Sequence, residues 1–142
     1  MKRAFEVVVI NSHRNYRMRA QPIGDYVRRV LRQSKQRKAS VSVIFVDSRS
    51  MRNLNRKYLS HDYGTDVLSF CLEKKGTLEG EIYINLDRAR QQAKAYNVTF
   101  RNEVARLVIH GTLHLVGYDD RGKTKAAIMK RKEEEHLSYW FS

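Results

Sequence analysis

His110 and His114 stand four residues apart in the string His110-Gly111-Thr112-Leu113-His114-Leu115-Val116-Gly117-Tyr118-Asp119-Asp120. On a helix, residues at i and i+4 share a face, and neutral imidazole is the commonest nitrogen donor for zinc and related ions. Asp119 or Asp120, just past the helix, can swing back to supply a third ligand. Three protein ligands leave a coordination position for water, which is the outline of a catalytic metal site. The spacing by itself is a weak signal, because a histidine on an apolar face is often only a hydrogen-bonded core residue. Gly111 strengthens it. Glycine inside an apolar helix costs about 1 kcal/mol relative to alanine, so its presence implies that something approaches the backbone there.

The elements that must position these side chains can be read from periodicity. The motif helix starts near Thr99 to Asn102 and shows Val104, Leu107, Val108, Gly111 and Leu115 on one stripe, with Gly117 as its stop. Before it, β-branched or apolar runs predict strands over Phe5 to Ile10, Val41 to Val46, Asp66 to Cys71 and Glu81 to Asn85, the last two separated by a turn at Lys74-Lys75-Gly76. Helices are expected from Pro22 to Ser34, with Ile23, Tyr26, Val27, Val30 and Leu31 inward, and after a cap at Asp47 or Ser48, with Met51, Leu54 and Tyr58 on the buried side. Two more are expected, from Asp87 to Tyr96 and from Lys123 to Leu137. In the last, Ile128, Met129, Leu137 and Trp140 pack, while the block Lys130 to Lys132 and Glu133 to Glu135 is a solvated face. With no repeat and no linker-like break, residues 1–142 read as one domain in which four strands and about five helices interleave, an α+β (α/β-like) fold.

Charge narrows the partners. The 28 Lys and Arg against 15 Asp and Glu leave a net +13, a field that attracts polyanions such as nucleic acid. The excess is concentrated: nine cations between Arg14 and Lys38 are opposed only by Asp25. On the predicted helix there, Arg28, Arg29 and Arg32 fall opposite the apolar stripe and are the expected phosphate contacts, joined by Arg14, Arg17, Arg19 and the Lys35 to Lys38 tail. Tyr16, Tyr58 and Tyr63 are available for base stacking or for packing. The single cysteine, Cys71, allows no intramolecular disulfide, and the apolar run Val7 to Ile10 is too short for a signal core or a membrane span. A cytoplasmic protein with no membrane partner is expected.

Three blocks together resemble the YbeY family of bacterial metal-dependent endoribonucleases. The eleven-residue string is similar to that family's H-G-x-L-H-L-x-G-Y-D-H; Tyr58 followed by Thr65-Asp66-Val67-Leu68-Ser69-Phe70 resembles its T-D-V-L-S-F strand; and Gly80-Glu81-Ile82-Tyr83-Ile84-Asn85-Leu86-Asp87 with Gln92-Ala93 resembles its G-D-I-x-I-S-x-D and Q-A block. The resemblance runs from about Val41 to the C-terminus. It implies a small mixed four-stranded sheet packed by about five helices, a zincin-like metal helix, one divalent ion, zinc first among them, and RNA cleavage in the maturation and quality control of the small ribosomal subunit. Ribosomal RNA is the implied partner, with ribosomal proteins or assembly GTPases beside it. His110 and His114 carry over as ligands. Asp120 stands where the family usually has His, and a carboxylate can replace that imidazole. An anionic ligand makes bound water less acidic and shifts preference toward harder ions. Leu59 stands where many members have Arg; Arg56, Lys57 or His61 can supply that cation.

Helix zincins place a Glu beside the first His as general base. Here that position is Gly111, which argues against a protease. A proton acceptor would come from elsewhere, and Asp66 and Glu103 are the candidates, each with a capping or anchoring role as its alternative. The leading expectation is a single-strand endoribonuclease that depends on His114. The alternative is a ribosome-assembly RNA-binding factor with a structural or vestigial metal site, suggested by Asp120 and Leu59. A small-substrate hydrolase or iron oxygenase also fits two histidines and a carboxylate, but the net charge argues against it.

Overall fold

The computed structural model describes residues 3–59 and 65–141. Four strands form one mixed sheet in the order β1-β2-β4-β3. β1 (Ala4–Asn11), β2 (Lys38–Val46) and β4 (Thr77–Asn85) run parallel, and β3 (Val67–Lys74) pairs antiparallel with β4. Val7 lies opposite Val41 and Val43 opposite Ile82, so the β-branched residues of three strands meet on one face. The β3–β4 connection turns at Lys75 and Gly76, both with positive φ, the geometry of a tight hairpin.

Five helices complete the described residues: α1 (Ala20–Arg32), α2 (Ser48–Leu59), α3 (Leu86–Ala95), α4 (Phe100–Leu115) and α5 (Lys123–Phe141). α4 packs on β3 and β4 and touches α1, α3 and α5. That central place explains why it is buried on nearly every side, Val104, Leu107, Val108, Ile109 and Leu113 being at most 1 % exposed, where a surface helix would show one polar face. The opposite sheet face is covered only in part. Met51 and Leu54 of α2 pack there on Ile44, Val46, Leu68 and Tyr83, while Val8 and Ile10 of β1 stay exposed.

The α+β architecture, the four strands and the five helices are as the alternation of elements predicts, and the sheet is mixed as the family resemblance implies. Several boundaries differ for local reasons. α1 begins two residues before Pro22, which sits in the first turn where a missing N–H costs nothing. α2 is capped by Asp47, whose carboxylate accepts from the Ser50 N–H at 2.8 Å. β4 starts at Thr77, four residues earlier than its apolar run, because Thr77 to Gly80 pair with both neighbours. α5 continues to Phe141 because Trp140 and Phe141 pack on Tyr26, with ring centroids at 5.3 and 6.2 Å. Among the described residues no helix is long and apolar enough to cross a membrane.

Candidate metal centre

The helix that carries the two histidines is fixed at both ends and in the middle. Thr99 caps it, its hydroxyl accepting from the Asn102 N–H at 3.0 Å. At the other end Gly117 takes φ +109°, and the Tyr118 N–H reaches back to the Leu113 carbonyl at 3.0 Å, a left-handed stop that turns the chain over the last helical turn. In between, Gly111 lies against the sheet. A Cβ there would come 2.6 Å from Ile82 Cγ2 and 3.1 Å from Ser69 Oγ, and the Ser69 hydroxyl donates to the Gly111 carbonyl at 3.0 Å. The close approach expected from the glycine is therefore the approach of β3 and β4.

With Gly111 facing the sheet, His110 and His114 project from the flank of α4. Their Nε2 atoms are 3.1 Å apart, and Asp120 Oδ2 lies 3.8 Å from His110 Nε2. Each of the three residues offers an atom within 4.8 Å of the other two. The donor chemistry fits an ion. His110 Nδ1 is 2.5 Å from the Glu133 carboxylate, so the ring proton sits on Nδ1 and the Nε2 lone pair faces His114. Two imidazoles on one tetrahedral ion, with bonds of about 2.0–2.1 Å, hold their nitrogens about 3.3 Å apart. Burial pushes the His114 pKa down, and the neighbouring His110 pushes it further, against the pull of Asp120, Asp119 and Glu133; the neutral, ligating form is favoured. Asp119, the other acid of the turn, is otherwise engaged. It accepts from the Arg121 N–H at 3.1 Å and lies 3.5 Å from Lys125 Nζ; that N–H and these cations hold its carboxyl below the usual range.

Behind His110 runs a chain of charged hydrogen bonds. Arg106 Nη1 donates to Glu133 Oε1 at 3.3 Å. Arg106 also donates twice to Glu103, at 2.9 and 2.6 Å, and Gln92 of α3 donates to the same carboxylate at 2.7 Å. Two expectations are corrected here. Glu103, 1 % exposed, is saturated by Arg106 and Gln92 and is an anchor between α3 and α4 instead of a proton acceptor. Glu133, expected on a solvated face, is 7 % exposed and orients a histidine, the usual partner of a metal-ligating imidazole. The signal was there in the spacing: Met129, Glu133, His136 and Trp140 fall on one helical stripe, an acid within an inward row.

The other expected residues disperse. Asp66 precedes β3, its carbonyl accepting from the Asn85 N–H at 2.9 Å, and lies outside the group of three. The face of Arg28, Arg29 and Arg32 is not one surface. Arg29 is half-buried, donating to His136 Nδ1 at 2.5 Å with its guanidinium 4.1 Å over the Tyr139 ring, so it joins α1 to α5 and is spent on packing. Arg28 pairs with Asp25 at 3.6 Å, and Arg32 is exposed. Arg56 and Lys57 are exposed on α2, the Lys57 ammonium lying 5.2 Å over the Tyr58 ring. Tyr16 packs against His13 and Phe100, whereas Tyr58 is 56 % exposed. His61 and Tyr63 lie outside the described residues.

The molecule is thus an α+β domain whose central helix presents two histidines beside a carboxylate of the following turn, a group able to hold a metal. A family model described as Endoribonuclease YbeY matches residues 9–140. The Endoribonuclease YbeY of Chloroherpeton thalassium is 38% identical over 112 residues, 79% of each chain, and that of Christiangramia forsetii is 32% identical over 130 residues, 92% of this chain and 86% of that protein. The solution structure of TM1509 from Thermotoga maritima superposes with a TM-score of 0.64 at 26% identity, covering 94% of this chain and 91% of that one. The chain belongs to the YbeY endoribonuclease family.

Proposed function

We propose that this protein is a metal-dependent endoribonuclease that cuts single-stranded RNA during maturation of the small ribosomal subunit, with residues 1–142 acting as one unit. The observation that carries this reading is the pairing of His110 and His114 Nε2 atoms at 3.1 Å, with Asp120 beside them and His110 Nδ1 tied to Glu133. His110, His114 and Asp120 would hold one divalent ion, zinc in the first place. Bound there, the ion would supply Lewis acidity toward a phosphoryl oxygen and water of lowered pKa. Glu133 keeps the His110 lone pair aimed inward. Asp66, just before β3, keeps the proton-accepting role in this reading. Arg56 and Lys57 of α2, with His61, take phosphate contacts in place of the cation that Leu59 does not supply. Ribosomal proteins or assembly GTPases are the protein partners, and the lone Cys71 suits a reducing cytoplasm.

Elemental analysis of freshly purified wild type and Asp120→Ala, beside a cleavage assay on ribosomal RNA, tests this. One ion per wild-type chain, its loss in Asp120→Ala and no cleavage by His114→Ala are expected. Cleavage that survives both His114→Ala and exhaustive chelation overturns the proposal. Leu59, 42 % exposed at the end of α2, favours a second reading, an assembly factor that binds RNA without cutting it. Its mark is RNA binding that persists in His110→Ala while carefully purified wild type never cleaves.

A further inference from the structure

We infer that a groove on the far side of α4 from the histidines is a second RNA site, an exosite that grips neighbouring phosphates of a large folded substrate away from the bond being cut. The inference rests on the RNA-cleaving reading above and adds where the substrate is held. The groove forms where the N-terminal ends of α1 and α4 meet the C-terminal end of α5. Two hollows of about 260 and 340 Å³ share Arg19, Pro22, Tyr26 and Arg101. The first extends to Arg17 over an apolar floor that includes Phe100, and the second ends at Trp140.

The cations here are uncommitted. Arg17, Arg19 and Arg101 are all exposed. Arg17 and Arg19 have no side-chain hydrogen bond or ion pair among the described residues, and Arg101 has only a 5.9 Å approach to the Phe141 ring. Asp25 also lines the groove, but it faces Arg28 at 3.6 Å. α1 adds to the field: Arg19, at its N-cap, gives no side-chain cap and the first turn holds no acid, so the positive end of the helix faces this hollow unneutralised. Guanidinium forks match phosphate oxygens, and an apolar, aromatic floor between cationic walls is how single-stranded nucleic acid is held without sequence preference. Of the arginines first expected to meet RNA, Arg28 is paired with Asp25 and Arg29 is spent on packing; Arg17 and Arg19, expected with them, are not.

Placement separates the groove from the metal centre. Arg101 and His110 are nine residues apart on one helix, two and a half turns, so they point to opposite sides and differ by about 14 Å along the axis. Neighbouring nucleotides of one short strand cannot occupy both.

The double variant Arg19→Ala/Arg101→Ala is compared with wild type on folded small-subunit ribosomal RNA and on an oligonucleotide of about four nucleotides, the short end of single-strand site sizes and too short to reach both places. For the folded RNA, KM should rise roughly tenfold, and the slope of log affinity against log salt should become shallower by about 1.4, two contacts at about 0.7 each. Cleavage of the oligonucleotide should not change. Equal KM and equal salt slope on folded RNA overturn the exosite, as does a loss of the same size on both substrates. If wild type cleaves neither RNA, the nuclease reading has failed, and the binding comparison still decides the groove. Arg17→Ala, on the same wall, repeats the test should the double variant fold poorly by circular dichroism.

Discussion

A methyl group at position 111 has no room. Alanine there gains about 1 kcal/mol of helix propensity but drives a Cβ to 2.6 Å from Ile82 Cγ2, a fully buried atom's neighbourhood with Ser69 close behind, and overpacking of this kind costs about 1–3 kcal/mol. Gly111→Ala should therefore lower the melting temperature, and with it metal retention, since β3 and β4 would push the α4 turn that carries His110. A melting curve equal to that of wild type would show that the sheet yields instead. Asp120 makes a different residue-level prediction. Its carboxylate favours harder ions than an imidazole does, so Asp120→His should move a manganese–zinc competition several-fold toward zinc. No change in that competition would mean that Asp120 does not touch the ion.

Between elements, the decisive contact is Glu133 of α5 on His110 of α4. Glu133→Gln keeps the size and one acceptor but removes the charge, and loss of such a partner lowers metal affinity by about 10- to 100-fold. Competition against a chromophoric chelator measures this, and an unchanged affinity in a folded variant would reduce Glu133 to packing. How much of this was legible depends on whether a property is local. The alternation of strands and helices, the fold class and the flank shared by His110 and His114 follow from spacing within one element. The turn at Lys75-Gly76 and the stop at Gly117 follow from local backbone chemistry. Arg106 lies one turn from Glu103 on the same helix, but the Gln92 partner of Glu103 and the partners of Glu133 and Arg29 do not follow, because each is brought from another helix. Charge patterning treats a run of Lys and Glu as solvent-facing, and tertiary packing put one acid of that run, and His136 just beyond it, inside. Boundaries slipped where pairing or aromatic packing extended an element past its own pattern, at Thr77 and at Phe141.

For the molecule as a whole, His136 links stability to pH. Burial, and then the charge of Arg29, hold its pKa down to about 4, while an unfolded histidine titrates near 6.5. The folded state therefore holds this ring neutral, its Nδ1 accepting from Arg29. That contribution is complete above pH 6.5 and is lost as pH falls toward 4, so the melting temperature should drop over this window more steeply in wild type than in His136→Gln. Parallel curves would remove His136 from the account. The chain of hydrogen bonds from Gln92 through Glu103, Arg106 and Glu133 to His110 has one more consequence. It joins three helices but ends on a ligand, so whatever free energy an ion contributes at His110 is shared with the docking of α5. Amide hydrogens near Glu133, far along the sequence from the histidines, should then exchange more slowly when the ion is bound, making α5 a reporter of occupancy that needs no substrate.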